Sequence, residues 1–288
     1  MAPLLLTLSI LLSTGRNLLS KRLSSAVFGT RAFFMRQSIL FLGGTLAILL
    51  FGGVAPAHPS PKTILYALLY ALCLILAQWF YTVSLNQGNT ALCSTVYSMG
   101  FILPTISGAV IWSETFSALD VCGVVCAILS ILLPNVTVNP SNASTKKQNP
   151  FPLLTATLAS GGLGILQKLQ QRSDVANERA HFLLIAFLLA SAISDLASFF
   201  SKKEYHLHTK KAAFPIALGI GIAFGSCNLL NTALAGMLPG AVFFPTLNIG
   251  VILLTMLCSV LLFHEKLKCG ELLTPIFGCA SILLLNLT

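Results

Sequence analysis

Charge is what this sequence has least of. Only 9% of its 288 residues are Asp, Glu, Lys or Arg, against about a quarter in an ordinary soluble domain. Acids are the scarcest, eight in all against 17 Lys and Arg. Such a surface cannot be wetted, which excludes a sizeable soluble domain. The eight cysteines are scattered and none forms a Cys-x-x-Cys pair, so a structural zinc site has no ligand spacing to rest on. Cys122 and Cys126 share a helix face but lack His partners. No nucleotide-binding motif, no paired acids and no His-rich stretch lies within an apolar run. An enzyme is therefore not expected, and neither a cofactor nor a metal.

What is present is apolar. Hydrophobic residues make up 56% of the chain and the mean hydropathy is +0.87. Runs near 20 residues recur along it, each able to cross about 30 Å of hydrocarbon. This predicts an all-α, multi-pass membrane protein with the lipid bilayer as its surroundings. The formal charge of +9 does not point to nucleic acid, because the bases sit at helix ends and in short loops. They fit the orientation signal of a plasma (inner) membrane protein.

The apolar runs predict ten helices, near 2–22, 32–54, 63–86, 90–112, 118–136, 152–171, 180–200, 213–236, 240–263 and 270–287. Pro56, Pro59 and Pro61 break the second from the third, and Asn86-Gln87-Gly88-Asn89 is a tight turn. Five helices precede a polar linker at 138–151 and five follow it.

The two halves are copies. An offset of 151 residues carries 81–137 onto 232–288 without a gap. Glu114 falls on Glu265, Asp120 on Glu271, Thr95 on Thr246, and Ser130-Ile131-Leu132-Leu133 on Ser281-Ile282-Leu283-Leu284. The domains so defined are 1–137, the linker, and 152–288. Five spans per copy invert the second copy in the membrane, with a binding site expected near the midplane. The basic residues vote for inversion in each half. Arg16, Lys21, Arg22, Arg31, Arg36 and the linker's Lys146 and Lys147 oppose Lys62. Lys202, Lys203, Lys210, Lys211, Lys266 and Lys268 oppose Lys168, Arg172 and Arg179. The positive-inside rule then puts the linker in the cytoplasm and both termini outside.

Trp112-Ser113-Glu114-Thr115-Phe116 and Phe263-His264-Glu265-Lys266-Leu267 each close a long apolar helix. Each precedes a second acid and a short helix rich in Ile and Leu. This pattern, over the whole chain, resembles the EamA family of the drug/metabolite transporter superfamily. The resemblance implies ten helices as two inverted five-helix repeats, with a cavity lined mainly by helices 1, 3, 4, 6, 8 and 9. It implies transport, often export, of amino acids, other small metabolites or drugs. It also implies cytoplasmic termini, the reverse of the charge rule. Small multidrug relatives carry a membrane-embedded Glu in helix 1; here Leu12-Ser13-Thr14-Gly15-Arg16-Asn17 holds no acid.

Candidate site residues are polar side chains within the apolar helices. Gln78 and Thr82 share a face of helix 3, Tyr97 and Ser98 lie on helix 4, Asn228 and Asn231 on helix 8, and Asn248 on helix 9. An amide in hydrocarbon must find a partner, so each faces another helix or a watery cavity. The repeat sets Arg16 on Gln167 and Asn17 on Lys168, one cation and one amide per copy. Arg16 and Lys168 either snorkel or meet an anionic group of the substrate. Glu114 and Glu265 read as helix-end residues favoured by the next helix's dipole. Pro104 and Pro245 are candidate hinges. The expected function is export of a small polar or amphiphilic, amino acid-like metabolite by alternating access, by a protein working as a monomer. The alternatives are a multidrug exporter or a non-transporting scaffold.

Overall fold

The structure is a computed structural model, and it describes residues 1–24, 29–54, 58–87, 90–136, 149–201, 213–263 and 272–287. These are helical, with no strand among them. The helices are α1 (Ala2–Ser24), α2 (Thr30–Phe51), α3 (Pro61–Gln87), α4 (Thr90–Ser98), α5 (Ile102–Trp112), α6 (Ala118–Val136), α7 (Pro150–Gln171), α8 (Arg179–Phe200), α9 (Ala213–Met237), α10 (Gly240–Phe263) and α11 (Leu273–Asn286). A turn of 3-10 helix at Met99–Phe101 joins α4 to α5, so the ten predicted helices are matched in order. Pro104 has no N–H for the carbonyl of Gly100, and the 3-10 turn tightens the chain at that point.

Among the described residues, seven helical stretches are long and apolar enough to cross a membrane, and α6 and α11 are shorter apolar helices. The chain is thus a multi-pass membrane protein. Its outer surface carries many exposed large side chains, such as Leu50, Val110, Leu158 and Phe199. Lipid rather than water suits such a surface.

Local chemistry sets several helix ends. Ser60 caps α3, its hydroxyl accepting from the Thr63 N–H at 3.2 Å, with Pro61 at the first helical position. Ser117 and Asp120 form a reciprocal capping box on α6, with bonds of 2.8 and 3.1 Å. The Asn149 side chain accepts from the Phe151 N–H at 3.1 Å and Pro150 follows it, so α7 begins two residues inside the predicted linker. The rest of that linker, through 148, lies outside the described residues, as do Glu265 and Glu271.

The chain divides into two compact units, Met1–Ile75 with Leu169–Leu234, and Leu76–Lys168 with Ala235–Thr288. Each draws on both halves of the sequence. In the first, α2 packs on α8. The Ser38 and Ser191 hydroxyls meet at 3.0 Å, and Phe41 stands edge-on to Phe187 at 5.9 Å. A hydrogen bond between membrane helices is worth about 0.6 kcal/mol on average, so close packing must carry most of the cohesion. Glycine supplies it. A Cβ at Gly221 would stand 2.1 Å from the Leu40 carbonyl oxygen, and one at Gly225 would stand 2.4 Å from that of Gly44. Here α9 lies backbone to backbone on α2. Gly219 faces open space and takes no part. At the start of α3, Lys62 pairs with Asp174, and Glu178 accepts from the Ser60 N–H at 2.9 Å. The Lys62 hydrogen bond holds the exposed Asp174 carboxyl below its ordinary pKa.

In the second unit, α6 packs on α11 and α10 on α5, α6 and α11. Thr274 donates to the Ser130 carbonyl at 3.2 Å. Gly161 and Gly164 of α7 lie against Leu103 and Pro104 of α5.

Candidate functional site

Polar side chains gather in two places, one in each unit. In the first unit, α1 and α9 run antiparallel with three rungs between them. Ser9 donates to the Asn231 side-chain oxygen at 2.5 Å. Ser13 meets the Cys227 sulfur at 3.4 Å. The Arg16 guanidinium lies over the Phe224 ring, 4.9 Å from its centre. As α1 advances by four and then three residues, α9 retreats by the same steps, the spacing of one helix face on each. Beside the ladder, Tyr70 of α3 donates to the Asn228 side-chain oxygen at 2.5 Å. The Asn228 amide nitrogen donates back to the Phe224 carbonyl at 2.8 Å.

Arg16 sits inside the first candidate span, Ala2–Ser20. A snorkelling arginine would aim its head along the helix toward the interface. This one is turned sideways onto a buried ring of α9. Its Nη2 also donates to the Asn17 side-chain oxygen at 3.2 Å. Among the described residues no carboxylate pairs with it.

In the second unit the cation is Lys168, fully buried at 0% exposure. It lies 2.6 Å from the Glu114 carboxylate and 5.3 Å from the centre of the Trp112 ring. The backbone makes this geometry. Ser113 adopts a left-handed φ of 51°, which ends α5 and turns the chain. The Glu114 N–H donates to the Gly108 carbonyl at 3.1 Å. The carboxylate then folds back and accepts from the Gly240 N–H at 2.8 Å. That N–H is one of the unsatisfied donors at the start of α10, where the helix dipole favours an anion. A Cβ at Gly240 would stand 2.8 Å from the Lys168 nitrogen and 3.2 Å from the Pro104 carbonyl oxygen, so a larger residue there would press on the paired ammonium. One carboxylate thus joins α5, α7 and α10. Stripping a lysine of water costs several kcal/mol without a partner, so the pair is a condition for burying Lys168. Glu114 is more than a helix-end residue, since it pairs with the cation that the sequence left open to snorkelling or to an anionic substrate group.

The other predicted residues take these positions. Gln78 is half-buried on α3, and the Thr82 hydroxyl donates to the Gln78 carbonyl at 2.9 Å. Tyr97 stacks on Tyr81 with ring centres 4.3 Å apart, and Ser98 beside it is half-buried. Gln167 is buried. The Asn248 amide donates to the Phe244 carbonyl one turn back, at 2.9 Å. Pro104 follows the 3-10 turn, whereas Pro245 sits within an uninterrupted α10. The residues not foreseen are Ser9, Ser13, Tyr70, Phe224 and Cys227 around the ladder, and Trp112 and Gly240 around the ion pair. The helical spacing of Ser9, Ser13 and Arg16 was a readable signal. Nothing in sequence marked Gly240. Among the described residues no three His, Cys, Asp or Glu side chains converge as metal ligands.

No family model and no curated protein matches the chain. Several solved structures are similar; one of them, described only as a crystal structure of a protein, is 15% identical with a TM-score of 0.75. The likeness covers 99% of this chain and 96% of that one. At that identity it shows a shared fold alone.

Proposed function

We propose that this protein is a carrier of the EamA type, built as ten spans in two inverted five-helix repeats. It moves a small polar or amphiphilic, amino acid-like metabolite out of the cell by alternating access across the plasma membrane. The observation that carries the reading is the α1–α9 face: Ser9, Ser13, Arg16, Asn228 and Asn231 in helices otherwise apolar enough to span a bilayer. Polar groups are costly at membrane depth and mark substrate paths. The internal repeat supports the same reading, because inverted copies are the common plan of secondary carriers. Counting α7 as a span is supported by its polar groups being satisfied. Lys168 is paired with Glu114, and Gln170 donates to the Val175 carbonyl at 2.8 Å.

The test is release from proteoliposomes loaded with a mixed pool of labelled amino acids and nucleosides. Faster loss of one or a few members than from protein-free vesicles is expected. Equal loss across the pool would sink the carrier reading. A reporter fused at Thr288 reads the orientation directly.

A further inference from the structure

The Arg16 end of the ladder has a surplus of donors. The guanidinium carries five N–H groups and no acceptor, and Asn17 Oδ1 takes one of them at 3.2 Å. The Asn17 amide nitrogen has no acceptor among the described residues. Phe224 supplies a π face below the guanidinium and nothing that accepts a hydrogen bond in plane.

The cations at the two polar sites therefore differ in kind. Lys168 is neutralised within the chain by Glu114. Arg16 is turned inward, half-buried and uncompensated among the described residues. A half-buried guanidinium with no anionic partner favours an anion, and its planar fork matches the two oxygens of a carboxylate. A single guanidinium with one neutral amide suits a single negative charge better than a phosphate dianion. The ring of Phe224 leaves room for an apolar or mixed remainder beside the charge.

We infer that Arg16 and Asn17 form the recognition site for a substrate carboxylate, and that Lys168 does not. Selection of the cargo is then asymmetric between the two copies, although the scaffold repeats. This rests on the carrier reading for its use, while the site can be measured by binding alone.

The experiment uses the full chain purified in detergent, with labelled L-leucine and L-glutamine as amphiphilic and polar probes. Their primary amides are the competitors. The native protein binds at least one acid and prefers it to its amide on the order of ten-fold, the size of one charge-assisted hydrogen bond. Arg16→Gln brings acid and amide within about two-fold, and Arg16→Lys keeps part of the difference. The preference also survives in phosphatidylcholine vesicles. An amide that competes as well as its acid on the native protein would overturn the site. So would an Arg16→Gln protein that keeps the preference, or a native protein that binds neither probe. Stabilisation of native but not Arg16→Gln protein by phosphatidylglycerol, with no displacement by either acid, would assign the site to a lipid phosphate and overturn it too. Acid-selective binding without release from vesicles would leave the site standing and remove the carrier reading. Release without acid selectivity would do the reverse.

Discussion

The ammonium of Lys168 and the carboxylate of Glu114 lie 2.6 Å apart, with the lysine wholly enclosed. The same carboxylate receives the first N–H of α10. Removing one member of a buried pair strands the other, which costs about 3–5 kcal/mol. Glu114→Gln is expected to lower the thermal midpoint in detergent sharply. The double variant Glu114→Gln with Lys168→Met should regain most of the loss, because no charge is then left buried. An unchanged midpoint in the single variant, or a double variant as unstable as the single, would show that the pair is not holding these helices.

The glycines of α9 are expected to divide cleanly. A methyl group at Gly221 would stand 2.1 Å from the Leu40 carbonyl oxygen, whereas one at Gly219 meets nothing within 4 Å. Backbone cannot swing aside as a side chain can. Gly221→Ala should cost about 1–3 kcal/mol, and Gly219→Ala should be neutral or slightly stabilising. Thermal unfolding of the two variants side by side decides this; equal effects would mean that α2 and α9 are not in backbone contact.

The Asp174 carboxyl is held below its ordinary pKa, chiefly by the hydrogen bond from Lys62. A depressed acid contributes stability that is complete above its unfolded value, about 3.9. The contribution is lost as pH falls through the lower native value. Both side chains are exposed, so the effect is small. Native protein should exceed Asp174→Asn slightly in thermal midpoint at pH 6, and the two should converge toward pH 2. A gap that stays constant to pH 2 would remove the pair from the account.

Helix positions were legible because hydrocarbon leaves the backbone few options. Every apolar run long enough to span must satisfy its own N–H and C=O groups, so it is helical. Proline, glycine and capping side chains then mark the ends, as Ser60-Pro61 and Ser117–Asp120 do. The start of α7 was misread by two residues because the Asn149-Pro150 cap resembled the linker before it. The polar residues were legible as candidates and not as partners. Asn228 could have faced a cavity or a neighbour, and it meets Tyr70. Tyr97 could have been set against Asn248 by the repeat alone, and it stacks on Tyr81.

The sequence by itself determined a multi-pass helical membrane protein, since composition and periodicity decide what can be buried in lipid. Its 151-residue offset also sets Arg16 against Gln167 and Asn17 against Lys168, one cation and one amide in each half of the chain. Only the tertiary structure decided what those cations do. Lys168 finds a carboxylate 54 residues earlier in the chain, and Arg16 finds an aromatic face on α9. Partners so far apart in sequence meet through the rotation and placement of whole helices. Those are properties of packing, and no local pattern of residues specifies them.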